Sequence, residues 1–375
     1  MRSAHLLAAI AAVIAAPIAA GPVHAQTAGA EPGGAWTVTP RTVALPAARV
    51  TLPASAGVTA LIRTGEFSKP GTGVDNHAQY ESADRKVFAT AYVYRAAYAD
   101  AALAAYGTDA AIRSRFGAAV RVAEQGAVAV AGRPDGAIRS VYDGAVLNGV
   151  ATTTAAAFVR VDSWIVKLRA SGPAERRGEV IGALDALIAG LSVGPGATVL
   201  AARPLGFAAP CPASKTRDAK VAKGREAQGQ ALFGALLGGS AIPSKATDGT
   251  PSSLAFPANG ATPVCVRGSV SLGGRSVDLL QPAGQTDPGI LLSVLNDAGT
   301  VVAVEGAIFL GDGFTVKTYG IGEVTTGATL DRLPTARQME GWFANPDRSP
   351  LAGRSRTTFA ADGKTTIEVN PAALR

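Results

Sequence analysis

Short apolar segments separated by tight-turn residues recur through the second half of the chain, and they limit the fold more than any other feature. Gly, Asn and Asp between such segments favour two-stranded hairpin turns. The predicted hairpins span residues 264–280, 290–305 and 307–319, with turns at Gly273-Gly274, residues 296–300 and Gly311-Asp312-Gly313. Three successive hairpins predict an antiparallel meander. Residues 357–359 and 366–369 add a last predicted hairpin.

A short helix interrupts this β-rich half. Thr335 and Gln338 have the spacing of a capping box, in which each side chain bonds the backbone amide of the other residue. Met339, Trp342 and Phe343 form its apolar side, and Asn345-Pro346 ends it.

The residue pattern in the first half of the sequence predicts strands and helices in alternation. Residues 86–95 alternate with apolar residues on both faces, which predicts a central strand covered on each side. A helix follows over Leu103–Phe116 with an expected break at Gly107-Thr108, and hairpins follow over residues 120–168. A closing helix starts near Pro173 and places Val180, Leu184, Leu187 and Leu191 on one side. The predicted class is α+β: an antiparallel sheet packed with helices, then a disulfide-stapled segment and a β-rich meander domain.

The order of these elements within residues 58–193, together with the strand Ala91-Tyr92-Val93-Tyr94, resembles the Mog1/PsbP-like sandwich. The resemblance carries no active-site motif. It implies a binding or assembly role for this part of the chain, although a fold alone does not settle function.

The N-terminus has the features of a secretory signal peptide. Arg2 precedes an apolar stretch from Leu6 to Ala20, and Val23-His24-Ala25 forms a peptidase site, so cleavage is expected after Ala25. A retained membrane anchor is the alternative. Gln26 stands where a lipobox would need Cys, and no later apolar run approaches the ~18 residues of a membrane span. The Ala-rich, Lys-poor composition suggests a Gram-negative bacterium and therefore the periplasm.

These features divide the chain into five parts. The expected parts are a signal peptide (1–25), a Pro/Gly-rich linker with short edge strands (26–57), an α+β domain (58–193), a second linker (194–210) and a disulfide-stapled β-rich domain (211–375).

Cys211 and Cys265 are the only cysteines, and both lie in the exported part. Two such cysteines in an oxidising compartment most often pair. A metal or redox site is the rival interpretation, but neither a CxxC motif nor a companion His accompanies them. Closure of this loop would stabilise the fold by roughly 4 kcal/mol in the chain-entropy model.

His77 is the only histidine after residue 25, which limits the chemistry available to the mature chain. A His-rich metal site is excluded within one chain, and any Ser-His-Asp triad would need His77. Nucleophile-elbow, phosphate-loop and dinucleotide motifs are also absent, so we expect no cofactor and assign no catalytic residue. A pair of carboxylates that meet only in space stays open.

Two groups of residues are candidate contact sites. The row Tyr92, Tyr94, Tyr98 and Tyr106 would either line a ligand cleft between sheet and helix or belong to the core. The basic residues of the second group are Lys215, Arg217, Lys220, Lys223 and Arg225, which would lie on an amphipathic helix. This helix would either contact an anionic surface or simply face water.

The sequence therefore predicts a periplasmic cell-envelope binding or accessory protein without a cofactor. Its expected partner is an anionic envelope polymer, a lipid surface or another periplasmic protein, and not a nucleic acid. The alternatives are a cofactor-free envelope hydrolase that uses carboxylates and a purely structural domain.

Overall fold

The computed structural model describes residues 35–67, 71–117, 119–208, 211–212, 217–222, 256–286, 288–297, 299–306 and 313–370. These residues are mostly β, in three antiparallel sheets. The first thirteen elements are β1 (Thr37–Val38), β2 (Thr42–Leu45), β3 (Val50–Pro53), β4 (Ser55–Ala56), β5 (Thr59–Glu66), β6 (Asp75–Ser82), β7 (Phe88–Arg95), α1 (Ala101–Phe116), β8 (Arg121–Val130), β9 (Arg133–Leu147), β10 (Val150–Val161), β11 (Trp164–Pro173) and α2 (Arg177–Gly190). The remainder are β12 (Ser192–Val193), β13 (Val264–Leu272), β14 (Arg275–Pro282), β15 (Ile290–Val294), β16 (Val301–Gly306), β17 (Phe314–Tyr319), β18 (Glu323–Leu330), α3 (Ala336–Ala344), β19 (Ser355–Phe359) and β20 (Thr365–Val369).

The small sheet has the order β1-β2-β3-β12. Its residues Val43, Leu45, Val50 and Leu52 are buried in the same core as α2. Most of this sheet falls within residues 26–57, for which the sequence predicts a linker with short edge pieces. The edge pieces form as expected, but they belong to the core because alternate apolar residues face α2. Pro40 and Pro46 lie between the strands and Pro53 is the last residue of β3, so no proline interrupts the interior of a strand.

The first large sheet has the order β4-β5-β6-β7-β11-β10-β9-β8. The predicted central strand is confirmed as β7, which pairs with β6 and β11. Ala89, Ala91 and Val93 are buried on the side covered by α2, whereas Thr90 and Tyr92 on the other side are only half-buried. The expected coverage on both sides is therefore incomplete, because α1 packs mainly over β9 and β10.

Helix α1 is continuous through Gly107-Thr108, where the sequence predicts a break. Gly107 packs against the second large sheet: a Cβ atom there would lie 2.7 Å from both the Asn296 carbonyl oxygen and Val294 Cγ1. The glycine is thus explained by close packing and not by a helix end.

The second large sheet is a meander in which β13 to β20 pair in chain order. This confirms the predicted meander and the capped helix, where Thr335 and Gln338 form both bonds of the capping box. The predicted strand at 307–310 lies outside the described residues, and β17 pairs directly with β16. Strand β18 was not predicted from the sequence. The α+β prediction is confirmed only in part, because strands greatly outweigh helices.

The disulfide prediction is confirmed: Cys211 and Cys265 are bonded, with their Cα atoms 5.2 Å apart. The two large sheets are also joined by backbone contacts. Ala96 bridges Ile321, and the Ala97 amide donates to the Gly320 carbonyl at 3.0 Å. The Asp100 side chain caps α1 and also accepts from the Asn259 amide. The N-terminus of α1 is therefore fixed by both halves of the chain.

Candidate functional site

One face of the first large sheet is open beside α1. Helix α1 contacts β9 and β10, but β5, β6, β7 and β11 carry half-buried or exposed polar side chains on the same side. We call this surface the open sheet face and define it by six residues: Arg63, Phe67, Gln79, Thr90, Tyr92 and Arg169.

Four of these residues form a row across neighbouring strands. The strand register places Arg63 opposite Gln79, Gln79 opposite Thr90, and Thr90 opposite Arg169. Residues directly opposite in antiparallel strands point to the same side of a sheet. The Arg63 Nε donates to the Gln79 Oε1 at 2.6 Å, which confirms that these two side chains share the face.

A second row lies beside the first and is aromatic. His77 is opposite Tyr92, and Tyr92 is opposite Lys167. The Phe67 ring stacks on His77 with centroids 4.2 Å apart and lies 6.1 Å from Tyr92. Gly65 makes room for this stack, because a Cβ atom there would lie 2.7 Å from the His77 Cε1.

The charges on this face leave two arginines without a carboxylate. Lys167 lies close to the open sheet face, but its Nζ donates to the Asp297 Oδ2 at 3.1 Å and to the Asp297 carbonyl oxygen. Arg63 and Arg169 form no ion pair with any described residue. Arg169 is also half-buried, so its charge is less screened by water than that of an exposed arginine. The charge of Arg169 also acts on the nearby Asp297 carboxylate, whose pKa is lowered chiefly by Lys167.

Asp75 and His77, which lie in this region, both have shifted pKa values. Burial, assisted by the nearby Glu66, raises the pKa of Asp75 to about 6. Burial, assisted by the charge of Arg63, lowers the pKa of His77. His77 is therefore neutral at pH 7, and its buried Nδ1 has no hydrogen-bond partner among the described residues. Asp75 therefore takes up or releases its proton closer to neutral pH than an ordinary carboxyl group does.

The four tyrosines singled out in the sequence do not line one cleft. Tyr92 belongs to the open sheet face, and Tyr94 is buried beside it. The Tyr98 hydroxyl donates to the Phe256 carbonyl, and its ring meets Tyr319 edge-on with centroids 5.1 Å apart. The Tyr106 hydroxyl donates to the Asp278 Oδ2 at 2.5 Å. Tyr98 and Tyr106 thus join α1 and its preceding loop to the second half of the chain.

The predicted basic helix is not formed in the part that the structure describes. Residues 217–222 are extended: Val221 bridges Leu330, and the Lys220 amide donates to Asp331 Oδ1 at 2.8 Å. Arg217 and Lys220 are exposed there, whereas Lys215, Lys223 and Arg225 lie outside the described residues. Their contact with an anionic surface stays a prediction.

Sequence reasoning missed Arg63 and Arg169. In β11, Lys167 and Arg169 alternate with the buried apolar residues Val166, Leu168 and Ala170. That pattern indicates a strand with one basic side, and it is the signal from which Arg169 could have been predicted. For Arg63 no such signal existed, because a register shift between Leu61 and Arg63 sets which side it faces.

Within the described ranges, no cluster of three or more His, Cys, Asp or Glu side chains is arranged to bind a metal ion. None of the helices built from those residues has the length and apolar character needed to cross a membrane.

Comparisons with known proteins do not place the chain in a family. No family model matches, and no curated protein matches. A solved crystal structure of a protein from Bacteroides thetaiotaomicron is similar at 11% identity, over 68% of this chain and 88% of that one, with a TM-score of 0.23.

Proposed function

We propose that this protein is an exported cell-envelope binding protein that holds an anionic ligand on the open sheet face. The observation that carries the proposal is a pair of arginines in one row across the sheet, Arg63 and Arg169, which form no ion pair with a carboxylate of the described residues. The planar guanidinium group matches carboxylate and phosphate oxygens in two-point hydrogen bonds. The Thr90 hydroxyl lies between the two arginines in the same row and adds a neutral hydrogen-bonding group.

Export to the periplasm rests on the signal-like N-terminus and agrees with the disulfide, since such bonds persist in oxidising compartments. Mass spectrometry of the periplasmic fraction tests it. We expect Gln26, or its pyroglutamate, as the first residue. An intact Met1 in that fraction would contradict the proposed processing.

A binding or assembly role is also what the resemblance of residues 58–193 to the Mog1/PsbP-like sandwich implies. We retain that α+β domain as part of the proposal. The open sheet face supports this role separately, since its basic and polar side chains suit the binding of an anionic group.

The binding proposal is tested by calorimetric titration of the purified mature protein with polygalacturonate, an anionic polymer, and with dextran, a neutral one. We expect salt-sensitive binding to polygalacturonate and none to dextran. Arg169→Gln should weaken binding about tenfold, the effect of losing one charge-assisted contact of about 1.5 kcal/mol.

Arg348→Gln is the matched control, because Arg348 is exposed on the turn after α3 and the net charge change is the same. Equal loss in both variants would show a general charge effect and would refute the assigned face. Circular dichroism should show both variants folded.

The runner-up, a carboxylate hydrolase, is favoured by one observation. Asp75 has its pKa raised to about 6, as a general acid requires, and the Glu66 carboxylate contributes to that shift. Glu66, however, accepts hydrogen bonds from the Gly71 amide and the Thr72 hydroxyl, so it serves the adjoining loop. Release of reducing ends from polygalacturonate, abolished by Asp75→Asn, would favour this function over simple binding.

A further inference from the structure

We infer that the ligand is an extended anionic glycan that lies across β5, β6, β7 and β11 with acidic groups near both arginines. This inference rests on the proposed function and names its ligand class. It commits to a polysaccharide strand and not to a lipid surface or a small anion.

The first argument is the spacing of the charges. Arg63 and Arg169 lie on strands three positions apart in the sheet, and neighbouring strands are separated by about 4.8 Å, so their Cα atoms are about 14 Å apart. One carboxylate or phosphate group cannot pair with both guanidinium groups when their side chains stand roughly upright. A chain with repeated acidic groups can.

The second argument is the aromatic row beside the arginines. The Phe67 ring is 52% exposed although it is stacked on His77, and Tyr92 is half-buried next to it. Exposed aromatic rings next to polar side chains suit sugars, whose rings combine an apolar C–H face with hydroxyl groups. Gln79 and Thr90 supply the amide and hydroxyl groups that such hydroxyls would meet.

The third argument concerns access. Arg169 lies at the inner end of the row, on the strand next to β10, against which α1 packs, and close to the Asp297 loop that pairs with Lys167. A planar membrane surface would contact the most exposed side chains of the open sheet face first. A slender chain can lie along the row from the exposed Arg63 and reach Arg169. The half-buried position of Arg169 therefore favours a polymer strand over a bilayer.

Oligogalacturonates of increasing length provide the test, with neutral maltooligosaccharides of the same lengths as controls. For the unaltered protein we expect affinity to rise about tenfold or more between the disaccharide and the hexasaccharide, because the second contact becomes intramolecular. In Arg63→Gln this rise should disappear while disaccharide binding is kept. Phe67→Ala should weaken the hexasaccharide without changing the salt dependence.

The outcomes separate this inference from the function on which it rests. Binding that depends on Arg169 but not on ligand length would overturn the extended-glycan inference and keep the anion-binding function. The glycan assignment would also be overturned if the protein bound anionic phospholipid vesicles as strongly as the hexasaccharide and lost that binding in Arg169→Gln. No binding to any anionic probe would overturn both proposals.

Discussion

The buried ion pair between Lys317 and Glu305 in the second large sheet leads to a quantitative prediction. The Lys317 Nζ lies 2.5 Å from the Glu305 Oε1, and the two side chains are 7% and 6% exposed. The Tyr319 hydroxyl lies 3.1 Å from each of the two carboxylate oxygens of Glu305. Every charge in this group therefore depends on a protein partner and not on water.

Glu305→Gln is the informative change, because it keeps the shape and an acceptor for Tyr319 but leaves the Lys317 ammonium without a counter-charge. We expect a loss of about 3–5 kcal/mol in the free energy of unfolding, the usual cost of breaking a buried pair from one side. Adding Lys317→Met removes the unpaired charge. The double variant should then lie within about 2 kcal/mol of the original protein.

Urea unfolding at pH 7, followed by circular dichroism and tryptophan fluorescence, measures these differences. Glu323→Gln is the matched control, since Glu323 pairs with Arg356 at the surface and such a pair contributes about 0–1 kcal/mol. If Glu305→Gln costs no more than Glu323→Gln, the reasoning from burial is wrong. Additive losses in the double variant would refute the pairing itself.

Three further predictions concern packing, pH and the disulfide. Gly107→Ala would ordinarily stabilise a helix by about 1 kcal/mol, but here the new methyl meets the Asn296 carbonyl, so we expect a net loss of about 1–2 kcal/mol in urea titrations. Because the folded pKa of Asp75 is raised to about 6, its contribution to stability is full below pH ~4 and is lost as pH rises through 6; Asp75→Asn should flatten that decline, which amounts to about 3 kcal/mol at most. Replacing Cys211 and Cys265 by Ser and Ala should lower stability by about 4 kcal/mol for a separation of 54 residues, and an unchanged urea midpoint would contradict it.

Local chemistry made several elements predictable. The turn at Gly273-Gly274, the capping box of Thr335 and the period of Val180, Leu184 and Leu187 each depend on a few neighbouring residues, so their conformations follow from the sequence. The pairing of Cys211 with Cys265 followed from their number and from the expected export of the chain.

The open sheet face was not predictable in the same way. Its row of Arg63, Gln79, Thr90 and Arg169 draws on four strands, and only the register between those strands places the side chains in line. A shift of one residue in any strand would turn its member to the opposite side of the sheet. The role of Gly107 was hidden for a related reason, since its neighbours Val294 and Asn296 are remote in sequence.

By itself, the sequence determined where strands turn, where α3 is capped and which cysteines pair, because these depend on contacts within a few residues or on simple counting. The tertiary structure alone decided that residues 37–53 join the core, that α1 leaves part of the sheet uncovered, and that two arginines there form no ion pair within the described part of the chain. Those outcomes depend on which distant strands pair and what covers them, and such long-range packing leaves no pattern in any single stretch of chain.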